Sequence, residues 1–112
     1  MSSLINRAPL DRFSGRPDLV RHLIQIYLDI APGLIEKINV GIASGDIGQV
    51  ARDAHSLKGS SSELGAEHLA QLCQQLQTAA KAGDRGLLAT LAGELEKCYS
   101  ETTAALKALD IH

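Results

Sequence analysis

From Val20 to Leu109 apolar side chains return every three or four residues, and no stretch alternates with the two-residue period of a half-buried strand. A chain patterned this way buries its apolar surface as helices packed on helices, so the sequence predicts an all-α fold. One Phe, two Tyr and no Trp leave the core to Leu, Ile, Val and Ala, which interlock on helices better than they fill a β-sandwich. With 112 residues, 45% of them hydrophobic and 21% charged, there is apolar surface for one modest core and not for two.

Turn-like sequences divide the pattern into four stripes. The first helix is expected to begin near Pro17, with Asp18 in the first turn where the helix dipole favours an acid, and to carry Val20, Ile24, Tyr27, Ala31, Leu34, Ile35 and Ile38. Pro32 removes a bond to the Leu28 carbonyl, but the stripe resumes in phase beyond it, which implies a kink rather than a break. "ASGD" at 43–46 ends this helix, with Gly45 available as a left-handed cap. Asp46 caps the second helix, whose inner face is Ile47, Val50, Ala51, Ala54, Leu57, Ser61 and Leu64, and Gly65 ends it. Leu69, Leu72, Cys73, Leu76, Ala79 and Ala80 form the third stripe, which stops at "AGD". Asp84 caps the fourth helix, where Leu88, Leu91, Leu95, Cys98, Thr102, Ala105 and Leu109 make a heptad seam. Short connections make sequential helices antiparallel neighbours, so residues 16–110 are expected to form an up-down-up-down four-helix bundle. Residues 1–15, broken by Pro9 and Gly15, read as a short N-terminal helix over one bundle end, an extended segment or a linker.

A formal charge of −2 gives no general case for nucleic acid or a membrane surface as partner. No apolar run approaches the roughly 20 residues of a membrane span, and the N-terminus carries no signal pattern, so a cytoplasmic location is expected. Cys73 and Cys98 fall on the apolar stripes and read as small core residues in a reducing compartment. His22, His55 and His68 form no i, i+4 pair, which argues against a metal site. No acid in the serine-rich segment around His55 is placed to orient the imidazole, which argues against a hydrolytic triad.

"AHSLKGSSSELGA", residues 54–66, conflicts with its own helical pattern: His55, Gly59 and three serines are all poorer helix formers than Ala or Leu. At about 100° per residue, His55 lies roughly 140° from Val50 at the centre of the inner stripe, hence on an exposed flank. Its neighbours one and two turns away are Gly48, Ala51, Arg52, Lys58, Gly59 and Ser62. Four are small, two are cations and none is an acid. Small side chains clear space for a bulky group to reach the imidazole, and Gly59 is intelligible as that clearance. A neutral imidazole is a nucleophile near neutral pH, and a phosphoryl group on it would be a dianion calling for cationic and hydroxyl partners such as Lys58 and Ser62.

The stretch "AHSLKGSSSELGAEHLAQLCQQLQ" resembles the signature of histidine-containing phosphotransfer (HPt) domains of multistep His-Asp phosphorelays. Matched position by position, the resemblance implies that His55 is the phosphorylated histidine, Lys58 the phosphate-side lysine and Gly59 the glycine that leaves room. It implies that Gln77 matches a polar position facing the histidine, and that Leu64, Gly65 and Ala66 form the turn. The family implies a four-helix bundle, often with a short extra N-terminal helix, that takes a phosphoryl group from the aspartate of one receiver domain and gives it to another. It implies a phosphocarrier without kinase activity, with no cofactor of its own and with Mg²⁺ on the partner receiver. The expected partners are receivers of a hybrid sensor kinase or a response regulator, with Gly48, Ala51, Arg52 and Ser62 completing the partner surface and the isolated chain monomeric. It would be a free-standing relay protein or the C-terminal module of a hybrid sensor kinase, itself cytoplasmic even where that kinase is membrane-anchored. Two alternatives remain open at this point: the phosphoacceptor domain of a chemotaxis-type kinase, and a helical adaptor that is never phosphorylated.

Overall fold

The computed structural model describes residues 5–6, 8–11, 13 and 15–109. Four long helices follow a short one: α1 (Ala8–Asp11), α2 (Pro17–Ser44), α3 (Ile47–Glu63), α4 (Glu67–Ala82) and α5 (Arg85–Lys107). The long helices close a ring in chain order, α3 against α2 and α4, and α5 against α4 and α2, in the up-down-up-down arrangement that the short connections require. Among the described residues no helix is long and apolar enough to cross a membrane.

Local chemistry sets the helix ends. The Asp46 carboxylate accepts the Gln49 N–H at 3.2 Å and Asp84 accepts the Leu87 N–H at 3.1 Å, each satisfying a donor that a helix N-terminus leaves orphaned. Gly45 and Gly83 end α2 and α4 in the left-handed conformation. α2 runs unbroken through the exposed Pro32, because its apolar stripe on either side stays on one face.

The core follows the stripes with small departures. Val20, Ile24, Tyr27, Ala31, Ile35 and Ile38 of α2 are buried, whereas Leu34 is half-buried at the groove between α2 and α3. Leu72 of α4 is likewise half-buried. On α5 the seam holds from Leu88 to Thr102, then passes to Leu106, which is buried, while Ala105 and Leu109 are only partly so. A straight helix of 3.6 residues per turn drifts against a 3.5-residue repeat, and by the fourth turn the next residue faces the core. Tyr27 and Ser61, both buried, share a 2.8 Å hydroxyl hydrogen bond across the α2–α3 seam, so that each hydroxyl satisfies the other.

The N-terminal segment lies against the α3–α4 turn. The Asn6 N–H donates to the Gly65 carbonyl at 2.7 Å, and the Asn6 side-chain amide donates to Glu67 at 2.7 Å. Ile5 and Leu10 are buried beside them. Gly65 makes this possible twice over: its φ is +78°, and a Cβ there would overlap the Asn6 carbonyl. Replacing Gly65 by Ala is therefore expected to lower stability by about 1–2 kcal/mol for the left-handed backbone alone, and by more if the segment is displaced. Urea unfolding checks this; an unchanged midpoint would show that neither the left-handed backbone nor the contact with Asn6 requires glycine at position 65.

Candidate functional site

α3 is buried along Val50, Ala54, Leu57 and Ser61, so the opposite face must meet solvent. His55, Gly48, Arg52, Gly59 and Ser62 are exposed on that side, and Ala51 and Lys58 are half-buried at its margin. Seen along the helix, these side chains occupy one continuous strip two turns either side of the imidazole.

Gly59 sits within this strip on ordinary helical backbone, and a Cβ built on it meets nothing within 4 Å. Neither backbone conformation nor packing inside the chain calls for glycine here. Gly48 is different: a Cβ there would lie 3.4 Å from the Arg52 guanidinium, which folds back one turn over it and away from His55.

Helix α4 supplies the rest. The antiparallel packing sets two α4 amides against two α3 side chains in matching order. Gln77 places its amide nitrogen 3.3 Å from His55 Nδ1, and Lys58 Nζ donates to Gln74 Oε1 at 2.6 Å. His55 and Lys58 are three residues apart on one helix, Gln74 and Gln77 three apart on the other. As it stands, Gln77 Oε1 is buried and has no hydrogen-bond partner among the described residues. The 3.3 Å contact fixes Nδ1 as the inner nitrogen of the ring and leaves Nε2 as the outward one.

The sequence leads one to expect Lys58 to run along α3 into solvent. Instead it crosses the seam to α4, because Gln74 offers a neutral acceptor within reach of its ammonium. Beneath the pair lies Cys73, whose thiol burial pushes up to about 12; the Lys58 charge opposes that rise without cancelling it. Cys98 is also raised, by burial first, and the two thiols are free core groups. Gln74 is the contact that sequence reasoning missed. Its signal was present in "QQLQ", where Gln74 and Gln77 repeat the spacing of His55 and Lys58, but an exposed glutamine on a helix ordinarily reads as solvated surface. Ser62 shares the exposed face of His55, and the buried hydroxyl is that of its neighbour Ser61. Among the described residues no group of three or more His, Cys, Asp or Glu side chains is placed to share a metal ion.

On the α2 side of the strip runs a groove of about 250 Å³ lined by Phe13, Leu23, Ile26, Ile30, Ser60 and Glu63. Ile26 and Ile30 are exposed at 40% and 53%, large values for isoleucine. The Tyr27–Ser61 bond fixes the α2–α3 register, which brings Ile30 to the level of Lys58. Exposed apolar surface beside the strip therefore lies toward α2.

The chain resembles the crystal structure of histidine-containing phosphotransfer protein B (HptB) from Pseudomonas aeruginosa PAO1, with a TM-score of 0.88 over 96% of this chain and 94% of that one. At 21% identity this is a likeness of fold. No curated protein matches the chain. The family model of the Hpt domain matches residues 22–108, which takes in all of α3 and α4 and nearly all of the bundle, and on that ground the chain belongs to the Hpt domain family, the phosphotransfer domains of phosphorelays.

Proposed function

We propose that His55 is the phosphoacceptor of this Hpt domain, and that the chain takes a phosphoryl group from the aspartyl phosphate of one receiver domain and passes it to another. The observation that carries this reading is the setting of His55: exposed, with its Nδ1 engaged by Gln77 and its Nε2 outward, beside a glycine that leaves open space. Half a turn of the Gln77 amide sets Oε1 against Nδ1, so that it accepts the Nδ1–H and holds the ring in the tautomer with its lone pair on Nε2. That lone pair attacks phosphorus in line with the acyl oxygen. The N–P bond forms, the P–O bond breaks, the aspartate leaves as a carboxylate, and the Nδ1 proton stays on the ring. Transfer onward reverses these steps on a second aspartate. The reaction asks the protein for positioning and charge rather than covalent help, and Lys58 is the cation nearest to supply it. The partners in this reading are receivers of a hybrid sensor kinase or a response regulator, and the Mg²⁺ such chemistry uses belongs to the receiver.

Incubation with phosphorylated receiver domains tests the reading. His55→Gln is expected to stay folded, since the position is exposed, and to lose all label. Labelling of that variant at the wild-type rate would falsify the assignment.

Gly59 separates stability from transfer in this scheme. Gly59→Ala meets no described atom outside the local α3 backbone and is expected to stabilise α3 by up to about 1 kcal/mol. Gly59→Gln is expected to leave stability near that of wild type while slowing transfer, because its side chain enters the space a receiver or phosphoryl group needs. Normal transfer by the glutamine variant, at matched thermal midpoint, would remove clearance as the role of the glycine.

The receiver is proposed to dock across the α3 strip and onto Ile26 and Ile30, with Arg52 and Lys58 facing the acids around its aspartate. Ile30→Glu should then slow transfer from a phosphorylated receiver about tenfold or more, yet leave chemical phosphorylation of His55 by phosphoramidate unchanged. Equal slowing with both donors would place the fault at His55 rather than at docking.

A further inference from the structure

We propose that Gln74 is a positioning residue for phosphotransfer: through an uncharged acceptor it holds the Lys58 ammonium on α4 one turn from the Gln77 contact on His55, so that the lysine meets the phosphoryl group fixed in place and not neutralised by its tether. The inference rests on the reading of His55 as the phosphoacceptor.

A free lysine side chain has four rotatable bonds, and ordering it at the moment of transfer costs rotamer entropy. The 2.6 Å bond to Gln74 Oε1 orders it in advance. An ammonium has three donors, so one can stay on Gln74 while the others turn to phosphoryl oxygens. Gln74 is itself oriented. Thr78 donates its hydroxyl proton to the Gln74 backbone carbonyl at 3.1 Å, which leaves the Thr78 oxygen to accept the Gln74 amide nitrogen, in a long contact of 3.5 Å. The amide thus has one sense, with nitrogen toward Thr78 and oxygen toward Lys58. The pairing is also the neighbour, one helical turn along α4, of the Gln77 contact on the imidazole, so both side chains of the α3 site are placed by the same face of α4. A carboxylate in place of Gln74 would tether the lysine as well, but would neutralise it and repel the incoming dianion. The neutral amide gives the tether without that loss.

The test uses the full chain with phosphoramidate as donor, so that no cognate receiver is needed, and follows the rate of phosphohistidine formation at His55 and its half-life by phosphorus NMR. Gln74→Met keeps the bulk and removes the acceptor; it is expected to slow formation and shorten the half-life by roughly three- to tenfold, the range for losing the restraint of one hydrogen bond, with an unchanged thermal midpoint. Gln74→Glu is expected to slow formation at least as much. In a Lys58→Ala background the Gln74→Met change should have no further effect, an outcome that a merely structural role would not produce. Wild-type kinetics for Gln74→Met or Gln74→Glu, or effects of Lys58→Ala and Gln74→Met that simply multiply, would overturn the inference while leaving His55 as acceptor. Absence of label on the wild type, or label that survives His55→Gln, would overturn the phosphoacceptor reading and this inference with it.

Discussion

The rest of the structure depends on the burial of one narrow stripe of α3 against α2 and α4 at once. Val50, Ala54, Leu57 and Ser61 have no exposed surface, so α3 has a single free face and the position of His55 on it is set by helical geometry. Two of those four residues are small. Ala54 and Ser61 let the neighbouring helices approach closely, and closeness is what allows α4 side chains of glutamine length to reach across to the imidazole and the ammonium. Ser61 would be a costly core residue by itself; the Tyr27 hydroxyl satisfies it and at the same time fixes how α2 registers against α3. The apolar groove beside the histidine strip is a consequence of that register.

What the sequence made legible is what local rules govern. The helix caps at Asp46 and Asp84, the left-handed glycines at 45 and 83 and the outward direction of His55 follow from a few neighbouring residues each. Less legible was anything requiring knowledge of what comes alongside. The passage of the α5 seam from Thr102 to Leu106 reflects accumulated drift against a heptad, which is invisible when alternate steps of three and four still find Ala105 and Leu109. The docking of residues 5–6 was not legible because part of its anchor is a backbone bond between Asn6 and Gly65, which carries no sequence signature, and the rest, the Asn6 amide on Glu67 and the burial of Ile5 and Leu10, depends on what comes alongside. Lys58 looked solvent-bound because its acceptor sits on another helix, and a glutamine on an exposed face carries no mark of what it holds.

Among the described residues the side chains hydrogen-bonded to His55 and Lys58 are both amides, and this choice has a physical sense in the proposed role. A carboxylate at position 77 would favour the imidazolium, which has no lone pair to attack with, and would stand against the dianion once formed. An amide can accept the Nδ1–H without adding charge. The same reasoning applies one turn away, where Gln74 binds Lys58 without neutralising it. Positive charge at the site is thus left undiminished by the groups that position it, and the phosphoryl group would be the first anion that the lysine meets. A relay intermediate must both accept and release its cargo, so its electrostatics should favour the phosphorylated state only modestly; one tethered cation and two neutral amides supply a bias of that kind, where a cluster of cations would retain the phosphoryl group too well.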